Sequence, residues 1–145
     1  MSAAAVWHHT LRVYWEDTDA GGVVFYANYL KFFERARTEW LRQRGIGQQA
    51  LRERTGAIFV VGETQLRYLA PARLDDQLRI TVTPLALGRA SMRLQQQAWK
   101  LPETGQAEAS EATLLCEGHI RIGCVDALSF RPCRFPQDIN LALCP

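Results

Sequence analysis

The sequence is poor in the features that define several large protein classes. Its four cysteines, Cys116, Cys124, Cys133 and Cys144, include no pair spaced CxxC, and only three histidines are present. A structural zinc site needs four such ligands at close spacing, so no metal is expected. The N-terminal residues MSAAAVWHHTLRVYW lack the basic segment and apolar run of a secretion signal. The thiols are therefore expected to be free, and the chain cytoplasmic. No stretch approaches the ~18 apolar residues of a membrane span. Charge of one sign is also missing: 17 basic against 15 acidic residues leave a net charge of +2. That balance gives no basis for nucleic-acid binding, although a local cluster could hold a phosphate-bearing small ligand.

What is present is an ordinary globular composition, 48% apolar and 22% charged, in 145 residues without an internal repeat. One domain over 1–145 is expected, with a core at about 8–126 and an irregular tail over 127–145. A chain of this length buries roughly 68–70% of its unfolded surface and needs no covalent staple.

The most informative stretch runs from Trp15 to Arg42. An acidic, glycine-containing turn, Glu16-Asp17-Thr18-Asp19-Ala20-Gly21-Gly22, leads into a helical pattern. Tyr29, Phe33, Ala36 and Trp40 fall at i, i+4, i+7 and i+11, one face of a helix, and Leu30 and Leu41 widen it. Lys31, Glu34, Arg35 and Arg37 face water, and Phe32 suggests a second contact surface. Gly45 and Gly47 are stop signals. Before the turn, Leu11, Val13 and Trp15 alternate with polar residues as a strand with one buried face. After it come a short helix over 48–55 ended by Gly56, and a long strand over 57–69 bulged at Gly62. Two strands joined at Gly88 follow, then a fifth strand over 111–125 with Cys116, Gly118, Ile120, Ile122 and Cys124 facing inward. Neighbouring strands on short turns pair antiparallel. Only the long helix is large enough to cover a sheet face. The expected fold is α+β: a curved five-stranded antiparallel sheet wrapped around one central helix, its other face rich in Arg and Gln.

Asp17 and Asp19 invite two readings. Aspartate favours caps and turns. The adjacent Gly21-Gly22 lets backbone approach a ligand, and the N–H groups of Val23 to Tyr26 are expected at the positive end of the helix dipole. An acid or base beside such donors is what acyl transfer requires. Asp17 is assigned to loop hydrogen bonds. Glu34, a possible helical catalytic acid, is assigned to a solvated or ion-paired surface role. His8, His9 and His119 fall in no triad spacing and are read as exposed strand residues.

The run Val13-Tyr14-Trp15-Glu16-Asp17-Thr18-Asp19-Ala20-Gly21-Gly22-Val23-Val24-Phe25-Tyr26-Ala27-Asn28-Tyr29 resembles the signature of hotdog-fold acyl-CoA thioesterases of the 4-hydroxybenzoyl-CoA thioesterase type. Phe33-Glu34-Arg35-Ala36-Arg37-Thr38-Glu39, Gln48-Gln49-Ala50-Leu51, Tyr68 to Asp76 and Cys124-Val125-Asp126 are similar to its YbgC-like branch, associated with the Tol–Pal envelope system. The resemblance implies hydrolysis of an acyl-CoA to free acid and CoA, with Asp19 as nucleophile or general base. It places the oxyanion donor at the Tyr26 backbone N–H, where relatives commonly carry His. It points to Arg89, then Ser91, as contacts for CoA, which is part of the substrate; no separate cofactor is implied. It also implies a homodimer or homotetramer with active sites between subunits, and acyl carrier protein or Tol–Pal-related proteins as partners. Two other readings are a carrier-protein or envelope-complex binding module and a hydratase. The latter generally relies on a loop histidine, and none lies between Asp17 and Arg37.

Overall fold

The computed structural model describes residues 6–103 and 111–143. Its elements are β1 (Trp7–Arg12), α1 (Asn28–Gln43), α2 (Gln48–Thr55), β2 (Ala57–Tyr68), β3 (Gln77–Leu87), β4 (Ser91–Lys100), β5 (Thr113–Asp126) and α3 (Gln137–Leu143). The strands form one antiparallel sheet in the order β1-β3-β4-β5-β2. This is the architecture expected from the pattern, an unclosed curved sheet around α1, and the hotdog fold that the resemblance implies. The β2–β3 pair departs from expectation. Though joined by the short segment 69–76, the two strands are not neighbours. The segment instead crosses the end of the sheet, where Leu69 and Ala70 donate to the Leu115 carbonyl and Val24 donates to the Ala72 carbonyl.

Helix α1 forms where the apolar spacing put it, and Tyr29, Phe33, Ala36, Trp40 and Leu41 are buried. Phe32 is also fully buried, while Leu30 is 43% exposed. Because the sheet curves around the helix, the buried arc is wider than one stripe and centred nearer Phe32 than the spacing suggested. Each such large side chain contributes roughly 1.5–3 kcal/mol by leaving water. The helix ends through Gly45 at φ 80, and the Ile46 N–H reaches back to the Leu41 carbonyl at 2.9 Å. Among the described residues Gln96 is the one fully buried amide of the core: it accepts from Arg37 at 2.9 Å and donates to the Phe33 carbonyl at 3.1 Å.

The bulge expected at Gly62 is present, between Val61 and Glu63. A second irregularity, opposite Ala98 and Trp99, was not anticipated. It interrupts the alternation of β5, so that Leu115 is buried as well as Cys116. The first strand ends earlier than the sequence pattern implied. Trp15 begins a 3-10 turn and is 80% exposed instead of lining the core. The tail is more ordered than expected: Phe135, Ile139 and Leu143 are buried, and Phe135 stacks edge-on against Phe59. The core thus extends past residue 126. Cys116, Cys124 and Cys133 are free thiols, and Cys144 lies outside the described residues. No helix among the described residues is long and apolar enough to cross a membrane.

Candidate active site

The turn between β1 and α1 separates its two aspartates by environment. Asp17 is buried, 3% exposed. One carboxylate oxygen accepts the Tyr14 N–H at 2.8 Å, and the other accepts the Asn28 side-chain amide at 2.8 Å. Its carbonyl accepts the Phe25 N–H at 3.0 Å. Asp17 therefore ties the start of the turn to the first residue of α1, the structural role assigned to it. Asp19 is exposed at the tip. Its Oδ1 accepts the Gly21 N–H at 2.8 Å, which fixes the carboxylate while leaving Oδ2 without a protein donor among the described residues. A Cβ at position 21 would stand 3.2 Å from Oδ1, and Gly22 has φ +78. Both glycines thus serve the loop that carries Asp19.

The helix begins later than the sequence suggested, and this changes the donor set. Ala27 is the N-cap, without a side-chain cap. The Val24 and Phe25 N–H groups are taken by the Ala72 and Asp17 carbonyls, and Val23 bridges to Arg73. Of the four amides expected at the helix mouth, Val24 and Phe25 are thus committed to holding the loop. The Tyr26 N–H has no hydrogen-bond partner among the described residues. It lies beside the N-cap, where helix N–H groups are intrinsically unpaired and the dipole favours negative charge.

Aromatic rings surround this donor. The Tyr68 hydroxyl donates to the Tyr26 carbonyl at 2.9 Å. Phe25 and Tyr26 have centroids 4.7 Å apart, and Tyr68 meets both Tyr26 and Tyr29 edge-on. Burial pushes the Tyr29 phenol above its usual pKa, and its oxygen accepts the Ala72 N–H at 3.2 Å. Val24, Tyr26, Tyr29, Tyr68, Leu69 and Pro71 line a cleft of about 320 Å³. Phe25, Tyr26, Tyr68 and Leu69 are all 46% or more exposed, an apolar surface beside the edge strand β2.

The other sequence candidates lie elsewhere. Glu34 is exposed on α1, six residues past its first residue, or roughly 9 Å. It lines a separate cleft of about 330 Å³ with Arg37, Trp40, Phe59 and Met92, among others. Arg89 and Ser91 sit at the β3–β4 connection. Asp19 is attached through Val23 and Arg73 to the segment preceding β3. The 11 residues of β3 span roughly 35 Å. One chain therefore does not bring Arg89 and Ser91 to its own Asp19. His8 and His119 are exposed, while His9 is half-buried on the inward-facing side of β1.

The thioesterase-like superfamily model matches residues 13–143. The chain is 43% identical over 129 residues to the acyl-CoA thioester hydrolase YbgC of Escherichia coli O6:H1, covering 89% of each protein. It is 36% identical over 132 residues to the acyl-CoA thioesterase YbgC of Haemophilus influenzae, covering 91% of this chain and 90% of that one. A probable thioesterase from Bartonella henselae superposes with a TM-score of 0.77 at 30% identity, over 91% of this chain and all of the other. The 1,4-dihydroxy-2-naphthoyl-CoA thioesterase Slr0204 from Synechocystis shares the fold, with a TM-score of 0.81 at 20% identity over 97% and 96% of the two chains.

Proposed function

The chain belongs to the thioesterase-like superfamily as an acyl-CoA thioester hydrolase, and on that premise we propose that Asp19 attacks the thioester or activates the water that does. The observation that carries this reading is the division of labour in the turn. Asp17 is consumed by structure, whereas Asp19 is exposed and held by a single backbone N–H. The Tyr26 N–H, unpaired at the helix start, donates to the thioester carbonyl oxygen as negative charge develops there. A carboxylate can serve as nucleophile or as general base, and the geometry is compatible with either. The acyl group lies in the aromatic cleft beside Tyr26 and Tyr68.

The chain acts as a homodimer in this proposal. β2 is a 12-residue edge strand with one side unpaired, and exposed apolar rings flank it. Such an edge is a natural template for a second copy.

The test is replacement of Asp19 by Asn, assayed with a panel of acyl-CoAs and a thiol reagent for released CoA. Loss of about 10³-fold or more in kcat with an unchanged melting temperature is expected. Hydrolysis at the wild-type rate would remove Asp19 from the chemistry.

A further inference from the structure

Tyr26, which offers the unpaired N–H, is held on both sides, and one of the two holds comes from outside the helix. The peptide between Phe25 and Tyr26 carries that N–H, and its carbonyl, on Phe25, accepts the Asn28 N–H at 2.8 Å. The next peptide, between Tyr26 and Ala27, is passed over by the helical ladder, since Leu30 donates to the Ala27 carbonyl at 3.1 Å. The hydrogen bond to the Tyr26 carbonyl comes instead from the Tyr68 hydroxyl, at 2.9 Å and across 42 positions of sequence. Among the described residues that phenol is the carbonyl's one donor.

Stability alone does not require this bond. Tyr26 is 65% exposed, so water can satisfy its carbonyl where a phenol is absent. The Tyr68 ring packs edge-on against Tyr26 and Tyr29, and a phenylalanine ring would keep those contacts. What water does not supply is direction. Tyr68 closes β2, a strand paired along its length with β5, so its hydroxyl reaches the loop from a fixed frame. Desolvation, and after it the neighbouring Cys116 and Tyr26, push the phenol above its usual pKa, so it is protonated and able to donate at neutral pH.

We propose that Tyr68 is a positioning residue for thioester hydrolysis: its hydroxyl clamps the peptide after Tyr26 and so keeps the Tyr26 N–H aimed at the carbonyl oxygen of the substrate. The proposal rests on the Tyr26 N–H being the oxyanion donor, adds the group that orients it, and is independent of the role of Asp19. A donor lowers the barrier only as far as it is aligned with the oxygen on which charge develops. Misalignment therefore lowers kcat and spares ground-state binding. The loss of one neutral hydrogen bond of ordinary strength corresponds to about a 3- to 10-fold change in rate.

The test compares the whole wild-type protein with Tyr68→Phe, which removes the hydroxyl and keeps the ring. A fall in kcat of about 3- to 10-fold is expected, with KM and melting temperature unchanged. A second readout does not depend on turnover. The dethia analogue of the acyl-CoA that turns over fastest is a ketone, with a methylene in place of the thioester sulfur, and is not hydrolysed. Labelled with carbon-13 at its carbonyl, it should resonate downfield on binding wild type, where the Tyr26 N–H polarises it, and less far downfield on binding Tyr68→Phe. A residue that only packs would leave kcat and the carbonyl resonance as in wild type, and that result overturns the proposal. So does a raised KM with kcat held, which would place Tyr68 in binding. A downfield shift of equal size in both proteins removes Tyr68 and leaves the Tyr26 donor standing. No shift in wild type removes the donor, and the proposal with it. The same ketone bound to Asp19→Asn reports on the donor whatever the role of Asp19 proves to be.

Discussion

Replacing Asp17 by Asn separates the two aspartates by what each loses. The carboxylate of Asp17 accepts one backbone and one side-chain donor, at 2.8 Å each, from inside the protein. An amide has one acceptor and one donor end. In either orientation, one of Tyr14 N–H and Asn28 Nδ2 then faces another donor. The lost bond to a charged acceptor costs about 1.5–3 kcal/mol, and the buried donor left without a partner adds about 1–3 kcal/mol. A net loss of about 3 kcal/mol is expected, which for a domain of this size lowers the melting temperature by roughly 10 °C. Thermal and urea unfolding measure it. Adding Asn28→Asp supplies a carboxylate where an amide stood, so the new amide at position 17 can donate to it. The double variant should recover half or more of the loss, giving a coupling energy in a double-mutant cycle. Whatever activity each variant retains should track its folded fraction. A variant at position 17 with unaltered stability and abolished turnover would refute the reasoning, since the residue would then belong to the chemistry.

Three further outcomes follow from the packing and the loops. Gly118→Ala places a Cβ 2.7 Å from Leu66 Cδ2 and 3.0 Å from Phe33 Cε2, so overpacking of about 1–3 kcal/mol is expected in chemical denaturation. Burial pushes the Cys116 thiol up to about 12, and the Cys124 thiol likewise to about 12, aided by the hydrogen bond with Cys133. Neither should react with a thiol reagent at pH 8 until the protein unfolds; prompt labelling of either would contradict their burial. The backbone N–H groups of Ser129 and then Leu128 hold the Asp126 carboxyl below its usual pKa. A depressed folded pKa stabilises above the unfolded value and loses that contribution as pH falls through the folded one. Asp126→Asn should therefore lower the melting temperature at pH 7, with the gap to wild type closing in acid; a gap independent of pH would exclude the linkage.

The sequence showed α1, α2 and the Gly62 bulge because each rests on local signals: a 3.6-residue apolar spacing, and glycines where the backbone must turn. Gly56 indeed ends α2 at φ 75. It misjudged Trp15, Phe32 and Leu115 because their burial depends on how strands and helix meet. The strand stops before Trp15, curvature of the sheet encloses Phe32, and a register slip between β4 and β5 turns Leu115 inward. In the candidate site, Asp17 is assigned to loop hydrogen bonds and Asp19 is set apart by the resemblance; the donors that occupy Asp17, the Tyr14 N–H and the Asn28 amide, appear only in the fold. The resemblance points to the Tyr26 N–H by motif position; what only the fold shows is that its neighbours Val24 and Phe25 are already bound, by the Ala72 and Asp17 carbonyls.

The rings of Tyr26, Tyr68, Tyr29 and Phe32 touch in succession from the solvent-facing loop to the middle of the domain. Such a chain of contacts makes the loop as stiff as the interior it leans on. Thinning that interior at Phe32, a residue no substrate could reach, would loosen the peptide at the surface and blunt the enzyme without touching its chemistry.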